Sequence, residues 1–110
     1  MNLLFVCSRN QWRSPTAEEI YKNNSEHQVR SAGTESGARI KLTARLVSWA
    51  DIIFVMEKKH KQRITEKFPD KAWQSEIVVL DTMDHYQFMD PELMDMIQIS
   101  VAPYLDDHNN

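Results

Sequence analysis

A cysteine and an arginine with five residues between them stand directly after the first apolar run of the chain. Cys7 and Arg13 enclose Ser8, Arg9, Asn10, Gln11 and Trp12, and the apolar run occupies positions 3–6. A strand ending at Val6 and a helix starting near Ser14 leave a tight loop, whose backbone N–H groups at the helix N-terminus converge on one anion. The helix end and the Arg13 guanidinium favour a thiolate at Cys7. The junction therefore predicts a phosphate-binding loop that holds a nucleophilic sulfur.

Ser14, which follows the loop, has two possible roles. Ser14 and Pro15 form a typical helix start, with serine as the cap and proline at the first helical position. The Ser14 hydroxyl is also well placed to donate a hydrogen bond to a Cys7 thiolate. Arg13 is suited to bind two phosphoryl oxygens at once. From Cys7 and Arg13 alone, a core cysteine beside an unrelated arginine fits equally well; the bounded loop favours the functional reading.

The elements that must position this loop alternate along the chain. Apolar runs and helical patterns predict strands at residues 2–6, 27–31, 51–56 and 76–80, and helices at 15–23, 43–49, 58–68 and 91 to about 102. This alternation indicates an α/β fold with one four-stranded parallel sheet and helices on both faces. Right-handed crossovers favour the strand order 2-1-3-4, with the polar second strand at an edge. We expect Pro103 to end or kink the last helix.

Length, charge and cysteine content limit the possible functions. A chain of 110 residues is predicted to form one domain, spanning residues 1–110. A net charge of −3 gives no electrostatic case for binding nucleic acid. The single cysteine excludes an internal disulfide, and the N-terminus has neither a charged leader nor a long apolar span. We therefore expect a cytoplasmic protein without a membrane anchor, and the sequence leaves its oligomeric state open.

The loop resembles that of the low-molecular-weight protein tyrosine phosphatases, in which cysteine, five residues and arginine are followed by serine or threonine and then usually proline. The matching residues are Cys7, Asn10, Arg13, Ser14 and Pro15. Residues 31–34 resemble the end of the family's second strand, residues 50–56 its third strand, and Asp90 with Pro91 its general-acid motif. The resemblance extends over nearly the whole chain.

This resemblance implies a phosphomonoester hydrolase that works through a phosphocysteine intermediate on Cys7. Loop amides and Arg13 hold the phosphoryl oxygens, and Asp90 protonates the departing oxygen and then activates water. Asp81, Asp84 and His85 are reserve candidates for the acid. No cofactor is required, and the sequence has no ligand cluster with zinc spacing. The implied substrate is phosphotyrosine on a protein, or a small aryl phosphate.

Three positions depart from the family pattern. Arg9 stands where the family usually has glycine, so we expect Asn10 to adopt the left-handed conformation that the loop requires. Trp12 replaces a second loop cysteine, which removes a partner for a reversible disulfide with Cys7. Glu92 and Leu93 replace the family's aromatic pair after the Asp-Pro motif. The usual slot for a phenol is therefore expected to be incomplete.

Two other functions fit the same loop. A phosphate-binding module without turnover would use Cys7 and Arg13 to hold an anion, while Asp90 fails to act as an acid. An arsenate reductase would need an external thiol, because Cys7 is the only cysteine in the chain. We rank hydrolysis first and arsenate reduction last.

Overall fold

The first strand lies inside a four-stranded parallel sheet in the computed structural model, which describes residues 1–106. The strands are β1 (Asn2–Cys7), β2 (Gln28–Gly33), β3 (Ile52–Val55) and β4 (Glu76–Val79). Their spatial order is β2-β1-β3-β4, and every pair is parallel. The predicted sheet and its strand order are confirmed, with the polar β2 at an edge.

Five helices connect the strands and cover the sheet: α1 (Arg13–Tyr21), α2 (Ala44–Trp49), α3 (Lys58–Lys67), the short α4 (Pro69–Ala72) and α5 (Pro91–Asp106). Helices α1 and α5 pack on one face of the sheet, where their apolar residues form a cluster with β1 and β3. Helices α2, α3 and α4 contribute to a second cluster on the other face. Helices therefore lie on both faces, as the alternating pattern predicts.

The alternation of side chains along β1 explains why its apolar run is continuous. Leu3 and Phe5 belong to the cluster under α1 and α5, whereas Leu4 and Val6 belong to the cluster under α2 and α3. All four side chains are fully buried. A strand that is buried on both faces has no polar side, which is the usual pattern in a covered parallel sheet.

The predicted start of the first helix and the predicted end of the last helix are wrong. Helix α1 begins at Arg13 rather than Pro15, and Trp12 takes the N-cap position without a capping side-chain bond. Ser14 is fully buried and its hydroxyl points into the protein, so it does not cap the helix. Helix α5 continues through Pro103 to Asp106. Pro103 is exposed, and the burial of Leu105 against the sheet favours continuing the helix past it.

The carboxyl ends of β1 and β3 point to the same edge of the sheet, where the strand order reverses. The loop after β1 lies at this edge, and so do the start of α3 and the segment after β4, whose Thr82 N–H donates to the carbonyl oxygen of Met56 at 2.8 Å. Such an edge is where open parallel sheets bind ligands. No helix in residues 1–106 has the length and apolar character needed to cross a membrane.

Candidate active site

The loop between β1 and α1 is held in shape by the segment that follows β2. The Glu35 N–H donates to the Ser8 carbonyl oxygen at 2.9 Å, and the Arg39 N–H donates to the Arg9 carbonyl oxygen at 3.0 Å. Asn10 has a φ of 56°, the left-handed conformation expected from the sequence. The Arg39 Nε donates to the Asn10 carbonyl oxygen at 3.0 Å. The loop contains no glycine, and its tight turn forms because Asn10 adopts the left-handed conformation and because Glu35 and Arg39 donate hydrogen bonds to the loop carbonyl groups.

Gly33 at the end of β2 allows this segment to lie against the loop. A Cβ atom at this position would be 2.6 Å from the Ser8 carbonyl oxygen and 2.9 Å from the Asn10 nitrogen. Both contacts are with backbone atoms, which cannot move aside as a flexible side chain can. Only glycine fits between β2 and the loop without displacing one of them.

The Cys7 sulfur lies at the base of the loop and contacts two of its polar groups. The Ser14 Oγ is 3.0 Å from Sγ, and the Asn10 backbone N–H donates to Sγ at 3.3 Å. The side chain is 3% exposed. Hydrogen bonds donated to a sulfur stabilise its negative charge, so this arrangement suits a thiolate.

The Ser14 hydroxyl is itself oriented by its neighbours. The amide Nδ2 of Asn10 donates to the Ser14 Oγ at 2.8 Å and to the Ser31 Oγ at 2.9 Å. The Ser31 hydroxyl in turn donates to the Glu18 carboxylate at 2.7 Å. Because Ser14 accepts from Asn10, its single proton is available either for the Cys7 sulfur or for the Ala32 carbonyl oxygen at 3.4 Å. A thiolate at Cys7 selects the first of these.

Arg13 is anchored at one corner of its guanidinium. Its Nη1 donates to the Glu57 Oε2 at 2.6 Å and to the Thr82 carbonyl oxygen at 3.0 Å, and the residue is 6% exposed. These partners lie directly before α3 and after β4. Within residues 1–106 both hydrogen bonds of the Arg13 side chain use Nη1. The N–H groups on the other guanidinium nitrogens are therefore available to an anion.

A cavity of about 300 Å³ opens beside the Cys7 sulfur. The residues that line it come from the loop, from the segment after β2, from α3 and from the segment after β4: Cys7, Ser8, Arg9, Gln11, Trp12, Arg13, Glu35, Lys59, Asp84 and Tyr86. Six of the predicted site residues thus surround one space. Asn10 and Ser14 lie buried behind the cavity, where they contact the sulfur.

Asp90 is placed differently from the other predicted residues. It does not line the cavity. Its Oδ1 accepts a hydrogen bond from the Glu92 N–H at 2.9 Å, and its carbonyl oxygen accepts from the Met94 N–H at 2.9 Å. These bonds hold it at the start of α5, in the capping role that aspartate commonly takes before a proline. The carboxylate that lines the cavity is Asp84, one of the reserve candidates.

Sequence reasoning missed two residues behind the cavity, Glu57 and His60. Glu57 holds Arg13, and the His60 Nε2 lies 2.9 Å from the Ser8 Oγ. A usable signal existed for Glu57, because it follows β3 closely and the carboxyl ends of neighbouring parallel strands meet. His60 offered no such signal, since its spacing with Ile64 and Phe68 fits an ordinary inward helix face.

A cysteine and an arginine enclose a loop at the switch point of a parallel sheet, where open α/β folds bind their ligands. A family model described as low molecular weight phosphotyrosine protein phosphatase matches residues 2–47. The chain is 30% identical over 95 residues to the protein-arginine-phosphatase of Bacillus subtilis (strain 168). That match covers 62% of this chain and 63% of the relative, so the chain spans less than two thirds of the relative's length.

Solved structures of similar proteins agree over almost the whole chain. One is a Cys-to-Ser mutant of the YwlE arginine phosphatase with a phosphorylated active-site serine; it is 26% identical, has a TM-score of 0.71, and the match covers 96% of each chain. Another is Wzb of Vibrio vulnificus in complex with benzylphosphonate; it is 21% identical, has a TM-score of 0.77, and the match covers 96% of this chain and 97% of Wzb. The family model therefore matches the part of the sequence that carries the loop, and the solved structures share the fold of the chain.

Proposed function

We propose that this chain hydrolyses phosphoryl groups on protein side chains through a phosphocysteine at Cys7. The observation that carries the proposal is the environment of the sulfur, which borders the cavity and contacts the Ser14 hydroxyl at 3.0 Å and the Asn10 N–H at 3.3 Å. Thiolate attack on phosphorus forms the S–P bond and breaks the bond to the leaving group. Arg13 and the loop amides stabilise the charge on the equatorial oxygens.

The leaving group needs a proton, and Asp84 is the carboxylate best supported for this step. Asp84 lines the cavity together with Cys7 and Arg13, whereas the Asp90 side chain bonds to the first turn of α5. A protonated Asp84 gives its proton to the departing atom. The resulting carboxylate then takes a proton from the water that attacks the phosphocysteine, which releases phosphate and restores the thiolate. Asp90, expected from the family motif, remains the competing prediction.

Phosphotyrosine is the first candidate substrate. Trp12 and Tyr86 both line the cavity, and Trp12 is 45% exposed. Flat aromatic surfaces at a cavity wall favour contact with an aryl ring. These two side chains come from positions other than the family's aromatic pair, so they offer another way to bind a phenol.

Phosphoarginine is a second candidate, favoured by the acidic groups of the same cavity. Glu35, Asp84 and Gln11 line it, and the Glu35 Oε2 also accepts a hydrogen bond from the Arg9 Nε at 3.2 Å. Carboxylates and an amide oxygen are suitable acceptors for the N–H groups of a guanidinium. The Bacillus subtilis relative and the solved YwlE structure are both described as arginine phosphatases.

Steady-state hydrolysis of para-nitrophenyl phosphate, a phosphotyrosine peptide and a phosphoarginine peptide tests the proposal. Each is assayed in EDTA with the parent protein and with Cys7→Ser. We expect turnover by the parent and none by the variant, because a serine hydroxyl at this position is a far weaker nucleophile. The peptide with the higher kcat/KM identifies the substrate class.

Binding is measured in parallel as the rise in thermal midpoint with vanadate or phosphate. Cys7→Ser is expected to retain phosphate binding, since the loop amides and Arg13 are unchanged. A folded parent that binds these anions but hydrolyses none of the three substrates would overturn the proposal and favour the phosphate-binding module. Turnover that persists in Cys7→Ser would show that another group is the nucleophile.

A further inference from the structure

A fully buried histidine lies directly behind the phosphate loop. His60 is in the first turn of α3, and its ring bridges two elements: the Nδ1 is 3.0 Å from the Glu57 backbone nitrogen, and the Nε2 is 2.9 Å from the Ser8 Oγ. Ser8 is the first residue after Cys7 and lines the cavity. The mechanism proposed above makes no use of this histidine.

The two bonds of the ring determine where its proton lies. A backbone N–H can only donate, so the His60 Nδ1 must accept from Glu57. A neutral imidazole carries one proton, which then resides on Nε2 and is donated to the Ser8 Oγ. The ring is neutral near pH 7, because burial and the charge of Arg13 lower the pKa of His60 to about 4.

The direction of this bond determines what the serine hydroxyl does. The Ser8 oxygen accepts from His60, so its own proton points away from the ring. Ser8 shares the cavity wall with Cys7 and Arg13. A phosphoryl group on the Cys7 sulfur would occupy the cavity that Ser8 also lines.

We propose that His60 is a positioning residue that orients the Ser8 hydroxyl as a hydrogen-bond donor to the phosphoryl group. This inference rests on the proposed function, because it assigns the bound group to the same cavity. A donor fixed before the reaction stabilises the charge on the phosphoryl oxygens without having to reorient. His60 thus acts through Ser8 and does not contact the substrate.

Glu57, the residue directly before α3, also positions Arg13. The Glu57 carboxylate accepts both from Arg13 and from the His60 backbone N–H in a capping box. A change at His60 can therefore act through Ser8 or through the helix start and Arg13. The experiment must separate these two routes.

Two substitutions at His60 each keep one of the ring's bonds. The Oδ1 of His60→Asn mimics Nδ1 and keeps the acceptor for the Glu57 N–H, whereas the amide of His60→Gln mimics Nε2 and keeps the donor to Ser8. Each is made in the parent and in Ser8→Ala. The kcat/KM for para-nitrophenyl phosphate, the inhibition constant of vanadate and the thermal midpoint are measured for all six proteins.

We expect Ser8→Ala and His60→Asn each to lower kcat/KM and vanadate affinity roughly tenfold, the typical value of one hydrogen bond to a charged group. His60→Gln is expected to stay within about threefold of the parent, and His60→Asn is expected to have little further effect when Ser8 is already alanine. The thermal midpoints need not follow this order.

Two results would overturn the inference. An equal loss for His60→Asn in the presence and absence of the Ser8 hydroxyl would assign His60 a purely structural role. A Ser8→Ala variant with parental kcat/KM and vanadate affinity would remove the proposed donor. If the parent lacks turnover, the proposed function fails, and vanadate binding alone still tests the link between His60 and Ser8.

Discussion

The Cys7 sulfur and the Ser14 hydroxyl share a short contact whose polarity depends on where one proton lies. With a thiol, the S–H can donate to the Ser14 Oγ at 3.0 Å while Ser14 donates to the Ala32 carbonyl oxygen at 3.4 Å. With a thiolate, the Ser14 proton turns to the sulfur. The contact between the Ser14 Oγ and the Ala32 carbonyl oxygen is close to the length limit for a hydrogen bond, so it is weak. Ser14 therefore loses little stabilisation when its proton turns from Ala32 to the sulfur. The Ser14 hydroxyl can therefore act as donor or as acceptor toward the Cys7 sulfur.

At the residue scale, replacing Asp84 is expected to affect poor leaving groups most. Asp84→Asn cannot give up a proton, so we predict a loss in kcat/KM of about 10²-fold or more toward phenyl phosphate. The loss toward para-nitrophenyl phosphate should be several-fold smaller, because para-nitrophenolate leaves more easily without protonation. A comparison of kcat/KM for these two substrates in the parent and the variant measures the difference.

The matched control for this prediction is Asp90→Asn. Asparagine caps helices about as well as aspartate, so this variant keeps the bond at the start of α5 and removes only the acid. If Asp90→Asn showed the leaving-group dependence and Asp84→Asn did not, the acid would be Asp90, as the family motif predicts.

At the scale of elements, the strands were predictable because their apolar runs are long and uninterrupted. Strands β1 and β3 are buried on both faces, so no polar side chain breaks the pattern. The short α4 was missed: its four residues at Pro69–Ala72 are too few to show a helical period, and they contain no buried residue. The start of α1 was misplaced because Ser14 has the composition of a cap and the environment of a core residue.

The phosphate loop was easier to predict from the sequence than the carboxylate that faces it. The spacing of Cys7 and Arg13, bounded by an apolar run and by the helix-start pair Ser14 and Pro15, predicts a phosphate-binding loop. The carboxylate that faces the cavity depends on the path of residues 80–90, which includes positive φ angles at Asp81 and Met89. Neither residue type marks such a turn reliably, so local sequence could not separate Asp84 from Asp90.

The contact between β2 and the loop makes Gly33 a sensitive position. Gly33→Ala places a methyl group 2.6 Å from the Ser8 carbonyl oxygen, so the strand end or the loop must shift. We expect a loss of about 1–3 kcal/mol in the free energy of unfolding, the usual range for overpacking, and a fall in kcat/KM of at least tenfold. Urea denaturation and hydrolysis of para-nitrophenyl phosphate measure the two effects.

Gly37→Ala is the matched control for this substitution. A Cβ atom at Gly37 meets no atom within 4 Å, and its φ is not positive. Its stability and activity should remain close to those of the parent. Equal behaviour of the two variants would mean that the strand end and the loop tolerate a side chain between them.

At the scale of the whole molecule, the site joins segments that are distant in sequence. Arg13 from the start of α1 bonds to Glu57 before α3 and to Thr82 after β4, at separations of 44 and 69 residues. The loop after β1 is supported by the segment after β2. Since each of these segments follows a strand of the same sheet, the site forms only when the sheet has its full strand order.

Folding of this assembly buries a titratable group, which links stability to pH. His60 is fully buried and is faced by Arg13 at the start of α1 and by Glu57, Lys59 and Arg63 at α3. Burial is the largest cause that lowers the pKa of His60 from 6.5 to about 4; the three cations act in the same direction, and Glu57 opposes them. The folded protein therefore keeps this ring neutral at pH values where the unfolded chain protonates it.

We predict that the free energy of unfolding decreases as the pH falls from about 6.5 to 4, because the unfolded chain binds a proton at His60 that the folded protein does not. The decrease attributable to His60 should be on the order of 1.4 kcal/mol per pH unit within this window, with no His60 contribution to the slope above it. Urea denaturation at pH 4.5, 5.5, 6.5 and 7.5 measures it, with His60→Gln as the control that cannot titrate at this position. The difference in the free energy of unfolding between the parent and His60→Gln at each pH separates the contribution of His60 from that of the carboxylates. Parallel pH profiles of the two proteins would contradict the prediction, because they would show that the ring is protonated as readily in the folded protein as in the unfolded chain.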